Sequence, residues 1–92
     1  MSRYLILGKY SIAGIKGASA GRTKKAVSII RKNGGRVDAI YALIGEYDLA
    51  LLADFPNNAR LLKAVIALTK LTGIGFTSFP ALTIQEFDKL IK

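Results

Sequence analysis

The sequence contains no cysteine and no histidine. It therefore cannot form a disulfide bond, and it has none of the thiolate or imidazole ligands from which zinc sites are usually built. Haem held through a histidine is excluded for the same reason. The lack of cysteine is compatible with a reducing cytoplasm, which is where we expect the protein to reside.

Long apolar runs are also absent. A helix that crosses a bilayer needs about 20 consecutive apolar residues, and no stretch of this chain approaches that length. The chain opens on Met1-Ser2-Arg3-Tyr4, and the apolar run that follows is too short and too interrupted for a signal peptide. We therefore expect no membrane partner. A length of 92 residues predicts a single domain over residues 1–92, with no room for a second core.

Acidic residues are missing from the first 37 positions, which hold nine Lys or Arg, whereas residues 38–92 hold five bases and six acids. Two interpretations of this asymmetry stay open. The basic half, and its first helix in particular, would attract an anionic partner such as nucleic acid. The alternative is an ordinary solvated helix face. Because no nucleic-acid motif accompanies the charge, we favour the second interpretation and expect no nucleic-acid partner.

Apolar residues, by contrast, are abundant, at 51% of the chain. In a small domain without a membrane segment, this excess indicates a second buried surface in addition to the core. The simplest such surface is a subunit interface. We expect the chain to associate with itself as a homodimer or a higher homo-oligomer.

The periodicity of apolar residues predicts four strands, two long helices and a short tail helix. The predicted strands are 4–10, 36–44, 47–55 and 75–79. Both faces of 4–10 and of 47–55 are largely apolar, so we expect both to be covered, and the alternation of 36–44 places Val37, Ala39 and Tyr41 on one face. The predicted helices are 20–32, which ends at Asn33-Gly34-Gly35, 59–71, and a short one that opens at Thr83 with capping-box spacing to Glu86 and runs to Ile91. Residues 11–21 are predicted to form a flexible connection whose glycine spacing fits no phosphate-binding loop. The order βαββαβ is typical of an α+β, ferredoxin-like sandwich, here with a short C-terminal helix.

A short polar break, Gly45-Glu46, separates the second and third predicted strands. Glycine takes positive φ without penalty, so Gly45 favours a hairpin in which these two strands pair side by side. Tyr47 and Asp48 follow the turn and are expected to project to opposite sides of the sheet.

With the elements in this order, the segment Gly45-Glu46-Tyr47-Asp48 becomes diagnostic. The chain resembles the GYD domain family, whose hallmark is a Gly-x-Tyr-Asp segment that opens an apolar strand. The other matching segments are Tyr10, Gly14-Ile15-Lys16, Gly34-Gly35-Arg36-Val37, Tyr41 and Asp54-Phe55-Pro56. The resemblance implies a dimeric α/β barrel, in which two ferredoxin-like sheets pack face to face, and it implies no particular activity. The Gly/Ala/Ser-rich loop after Lys16 departs from the family pattern.

The same Gly-x-Tyr-Asp turn is similar to one in the effector-binding domain of the leucine-responsive/AsnC regulators. Those domains have the same fold and bind amino acids between subunits. This likeness implies a stand-alone small-molecule sensor.

Four residues are candidates for ligand binding: Tyr10, Tyr41, Tyr47 and Asp48. An aromatic lining with one carboxylate suits a small amphipathic ligand, provided that the tyrosines meet at one cavity mouth. Two structural alternatives stay open: Asp48 bonds hairpin N–H groups, and the tyrosines are packing or interface residues. No catalytic residue, metal site or cofactor is predicted, since no paired carboxylates, nucleophile–base pair or metal cluster emerges.

Two functions remain compatible with these residues. The first is a non-catalytic small-molecule-binding or interaction module with a cavity at the sheet face. The alternative is a cofactor-free enzyme of the oxygenase or isomerase type, working inside the barrel. An enzyme would need Asp48 or a tyrosine buried beside a pocket with a perturbed pKa, whereas a sensor needs only a complementary lining.

Overall fold

The computed structural model describes all 92 residues of the chain. The elements are β1 (Ser2–Lys9), α1 (Ile12–Lys16), α2 (Ala20–Lys32), β2 (Arg36–Ala42), β3 (Leu49–Phe55), α3 (Asn58–Thr72), β4 (Gly75–Ala81) and α4 (Ile84–Leu90). The strands form one antiparallel sheet in the order β2-β3-β1-β4, and α2 and α3 pack on the same side of it. The ferredoxin-like arrangement is confirmed. No helix has the length and apolar character needed to cross a membrane.

The hairpin between β2 and β3 forms as predicted, but its connection is longer than a tight turn. β2 ends at Ala42 and β3 begins at Leu49, so residues 43–48 lie outside both strands. The amide of Leu43 donates to the carbonyl of Asp48 at 2.8 Å and closes this loop. Gly45 has a φ of +153°, which is the backbone conformation for which a glycine was expected here.

Two other segments differ from the prediction. Residues 12–16 form the short helix α1, because the hydroxyl of Ser11 accepts from the amide of Gly14 at 2.9 Å and caps it. A single turn containing a glycine carries no periodic signal in the sequence. β4 continues through Pro80 to Ala81, which is possible because β4 is an edge strand and needs no donor on its outer side.

A β-bulge at Asp38 interrupts the alternation of β2. Val37 pairs with Ala53, but the next paired residue, Ala39, stands opposite Leu52. Because of this extra residue, each later side chain of β2 points to the face opposite to the one that strict alternation predicts. The simple alternation read from the sequence, with Val37, Ala39 and Tyr41 on one face, is therefore wrong. Val37 lies on the helix side, and Ala39 and Tyr41 lie on the other.

The hydrophobic core lies between the sheet and the two long helices. Its largest fully buried side chains are Phe55, Ile6 and Ile30, which come from β3, β1 and α2. The ring of Tyr4 meets that of Phe55 edge-on, with centroids 6.2 Å apart. Gly35 passes so close to the Phe55 ring that a Cβ atom there would lie 2.6 Å from it, which explains the glycine at this position.

The opposite side of the sheet carries no helix, and we call it the open face. Leu5 and Leu7 of β1 lie at its centre, where Leu5 pairs with Leu52 and Leu7 pairs with Ala50. The edge strands add Tyr41 and Phe79, whose side chains are 57% and 45% exposed. The residues that form the largely apolar centre of this face are Leu5, Leu7, Ala39, Tyr41, Ala50, Leu52, Thr77 and Phe79. Both faces of β1 were expected to be covered, and within one chain only the helix side is.

The tail helix α4 also stands apart from the core, since none of its residues is buried. It begins with the predicted capping box, in which Thr83 and Glu86 bond each other's backbone. Its apolar side chains are half to three-quarters exposed: Ile84, Phe87, Leu90 and, just beyond the helix, Ile91. α4 and the open face are therefore two apolar surfaces that the single chain leaves uncovered.

Candidate functional site

Asp48 joins the hairpin connection to the end of β1. Its carboxylate oxygen Oδ2 accepts from the amide of Tyr10 at 2.8 Å, and its own amide donates to the carbonyl of Gly8 at 2.8 Å. Its carbonyl accepts from Leu43. The other carboxylate oxygen, Oδ1, makes no hydrogen bond within the chain. Asp48 thus fixes the local backbone and keeps one oxygen free to accept from another group.

Tyr10 lines a small cleft between α2 and the sheet. The cleft has a volume of about 80 Å³ and is mostly apolar, with Ala26, Leu51, Ile74 and Phe76 among its walls. Pockets that hold a small-molecule ligand usually measure about 300–1,000 Å³. Within a single chain, this cleft is too small for a metabolite.

Arg22 closes the cleft on one side. Its Nη1 donates to the carbonyl of Gly14 at 2.6 Å, and its guanidinium carbon lies 5.8 Å from the centroid of the Tyr10 ring. These contacts tie α1 to α2 and place a cation over an aromatic face. Sequence reasoning counted Arg22 only as a surface cation, because nothing local indicates that it bends back toward residues 10 and 14.

The structure places the candidate tyrosines on different sides of the sheet. Tyr10 is on the helix side, whereas Tyr41 lies on the open face opposite Ala50. Asp48 directly precedes β3 and stands two residues before Ala50, so Tyr41 and Asp48 lie toward the same end of the open face. Tyr47 is half-buried in the connection. Tyr41 and Asp48 are thus the two candidates that share a surface.

A cluster of charges occupies the other end of the open face. Asp54 is only 7% exposed, and its two oxygens bond Arg3 Nε at 3.2 Å and Arg36 Nη2 at 3.0 Å. Arg3 also pairs with Asp38, the bulge residue, at 3.2 Å. Hydrogen bonding from Arg3 holds the pKa of Asp54 below its ordinary value, against the opposing effect of burial. Sequence reasoning missed this cluster, because only the strand register brings residue 3 next to residue 54.

The lowered pKa of Asp54 predicts a loss of stability in acid. The Asp54 carboxyl binds a proton less readily in the folded state than in the unfolded chain. The stabilisation from ionised Asp54 is therefore present above about pH 4 and is lost as the pH falls further. We expect urea unfolding to show a smaller drop in stability between pH 7 and pH 3 in Asp54→Asn than in the wild type. The exposed Asp88→Asn serves as the matched control and should keep the wild-type pH dependence. If the stability of Asp54→Asn drops between pH 7 and pH 3 as much as that of the wild type, the acid sensitivity does not come from Asp54.

No group of three or more potential ligands among Asp and Glu lies close enough together to hold a metal ion. The chemistry that the site offers is therefore that of its phenol hydroxyls, of the Asp48 carboxylate and of an apolar surface.

Two solved structures share this fold with TM-scores of 0.59. One is the leucine response regulatory protein of Mycobacterium tuberculosis, at 11% identity, with 89% of this chain and 51% of that chain covered. The other is a homoserine dehydrogenase from Thiobacillus denitrificans, at 14% identity, with 86% of this chain and 17% of that chain covered. The chain thus spans about half of the first protein and less than a fifth of the second. At such identities the likeness shows the fold alone.

No curated protein sequence matches the chain. The model of the GYD domain family, however, matches residues 4–91, from the first strand to the tail helix. The match includes the Gly-x-Tyr-Asp segment and, from the charge cluster, Arg36, Asp38 and Asp54. This chain belongs to the GYD domain family.

Proposed function

We propose that the chain is a small-molecule-binding domain that acts as a homodimer and holds its ligand between the open faces of two copies. The observation that carries this proposal is the open face itself. Its centre is apolar across all four strands, and no element of its own chain covers it. The apolar cleft beside Tyr10, at about 80 Å³, is too small to serve instead.

A second copy of the same face is the natural cover for it. Two sheets that pack face to face lie about 10 Å apart. A two-fold axis would place the open face of one copy against the open face of the other. Dimerisation would remove from water the half-buried side chains of Leu5, Leu7 and Leu52. This burial would stabilise the dimer by about 25 cal/mol per Å² of apolar surface. Tyr41 and Phe79 lie on the two edge strands, so they would border the cavity on opposite sides. The hydroxyl of Tyr41 and the exposed edge of the Phe79 ring would lie at its rim.

The ligand that suits such a cavity is small and amphipathic. The apolar centre accepts an aliphatic part, while Tyr41 offers a hydroxyl and Asp48 offers the free Oδ1 to an amine. Tyr10 acts indirectly, since its amide holds the Asp48 carboxylate in place. Tyr47 is half-buried in the connection that presents Asp48. L-leucine and L-homoserine are reasonable first probes, because the names of the two fold neighbours refer to these amino acids.

The proposal is tested by binding measurements on the whole chain. We expect saturable heat on titration with one of the two amino acids, or a small molecule released from gently purified protein and identified by mass spectrometry. Tyr41→Ala should lose at least tenfold in affinity, since it removes a wall and a hydroxyl of the cavity. Leu62→Ala, on the outer side of α3, should bind as the wild type does. Neither saturable heat nor a released molecule, or an equal loss in both variants, would overturn the proposal.

A further inference from the structure

The two long helices carry a charge pattern that the ligand site does not use. Together α2 and α3 hold eight cations and no acid: Arg22, Lys24, Lys25, Arg31, Lys32, Arg60, Lys63 and Lys70. All six acidic residues of the chain lie outside these two helices. None of the eight cations takes part in an ion pair, because every ion pair of the chain involves Arg3 or Arg36. Only Arg22 is engaged, with a backbone carbonyl, and the other seven are exposed.

The outer side of α2 concentrates this charge, and we call it the basic face. Lys24 and Arg31 are seven residues apart, as are Lys25 and Lys32, so each pair spans two helical turns, or about 10 Å. The two pairs flank the exposed hydroxyl of Ser28. Shallow grooves of about 340 and 250 Å³ run on either side of Ser28, between the cations. Four unpaired cations thus surround a hydroxyl donor, and no carboxylate from α3 balances them.

Although the sequence alone favoured an ordinary solvated helix face, the placement of these cations favours a partner, and we propose that the basic face of α2 binds the phosphate backbone of duplex nucleic acid without regard to its sequence. Lys, Arg and Ser side chains are common partners of phosphate oxygens, and such contacts position a protein on a duplex without reading bases. Neither α2 nor α3 contains an aromatic residue. The face therefore lacks the stacking platforms that proteins use to hold single strands, which favours a duplex.

The same residues argue against a membrane surface as the partner. A helix that lies on a bilayer combines its cations with large apolar side chains that enter the acyl boundary. The outer row of α2 offers none, since its apolar members Val27 and Ile29 are half-buried. The exposed aliphatic residues of the helix layer, Leu62, Ile66 and Leu71, all belong to α3. The basic face also lies on the opposite side of the sheet from the open face, so this proposal does not depend on the dimer or on its ligand.

The test is the binding of a fluorescein-labelled 30-base-pair DNA duplex, followed by anisotropy between 50 and 200 mM KCl. Four phosphate contacts predict a slope of about −3.6 in a plot of log association constant against log salt, at about −0.9 per phosphate. Lys24→Glu/Lys25→Glu should weaken binding at least tenfold at 50 mM KCl and make the slope shallower by about two. The matched control is Lys89→Glu/Lys92→Glu. It changes the net charge of the chain by the same amount but lies at the tail helix, and it should stay within threefold of the wild type.

Four results would overturn the proposal. The first is no binding of the duplex at 50 mM KCl, and the second is an equal loss in the two charge variants, which would show a net-charge effect only. The third is tighter binding of a 30-nucleotide single strand than of the duplex. The fourth is binding of vesicles that contain phosphatidylglycerol without binding of DNA, which would assign the face to an anionic membrane.

Discussion

Replacing Leu52 with aspartate is expected to dissociate the proposed dimer and to leave each chain folded. Leu52 lies near the centre of the open face, between Leu5 of β1 and Ala39 of β2, and on the side away from the core. In a single chain the new carboxylate reaches water. In the dimer it would be an uncompensated buried charge, which costs about 3–5 kcal/mol. Because both chains of the dimer carry the substitution, the dissociation constant should rise by at least about two to four orders of magnitude, the effect of one such charge.

Sedimentation equilibrium measures this effect, and circular dichroism checks that the chain stays folded. Leu62→Asp is the matched control, because Leu62 is 59% exposed on the outer side of α3 and has no part in the open face. We expect Leu62→Asp to remain dimeric. If Leu62→Asp dissociates the dimer and Leu52→Asp does not, the interface lies on the helix side.

Replacing Phe55 with alanine is expected to cost about 3–5 kcal/mol of the free energy of unfolding, which is a large part of the 5–15 kcal/mol typical of a native domain. Phe55 is fully buried, and its ring packs against Tyr4, Ile30 and the backbone of Gly35. These neighbours come from β1, from α2 and from the segment just before β2, so they have little freedom to move together and close the cavity.

Urea unfolding at one fixed protein concentration measures the loss, because association would otherwise shift the apparent stability. Phe87→Ala provides the comparison. Phe87 is 50% exposed on α4, a helix with no buried residue, and its replacement should cost about 1 kcal/mol or less. Equal losses in the two variants would mean that α4 is part of the folded core.

The features that the sequence predicted best are those with local causes. The first long helix ends at Asn33-Gly34-Gly35, and Gly34 has the positive φ that such an end requires. The capping box between Thr83 and Glu86 and the positive φ of Gly45 are also set by neighbouring residues. In each case the backbone conformation follows from the residue type at that position.

The features that the sequence did not reveal depend on contacts between distant residues. Arg3 and Asp54 are 51 residues apart, and only the pairing of β1 with β3 joins them. The hairpin connection is held by Asp48 through the amide of Tyr10, 38 residues away. The bulge at Asp38 carries no sequence signal, although Asp38 bonds Arg3 once it is formed.

The candidate site was predicted in part for the same reason. The apolar second face of the central strands was evident from the alternation in residues 4–10 and 47–55. The positions of the tyrosines were not, because the bulge decides that Tyr41 lies on the open face and the end of β1 directs Tyr10 toward α2. Composition indicated that a second surface exists, and only the register showed which side chains form it.

Native mass spectrometry of the gently purified wild-type chain tests the central claim most directly. The open face is proposed both as the interface between two copies and as the wall of the ligand cavity. We therefore predict the mass of two chains with an added small-molecule increment, and loss of that increment when Leu52→Asp separates the chains. A mass of one chain without any increment, at the concentration at which the protein is purified, would contradict the account.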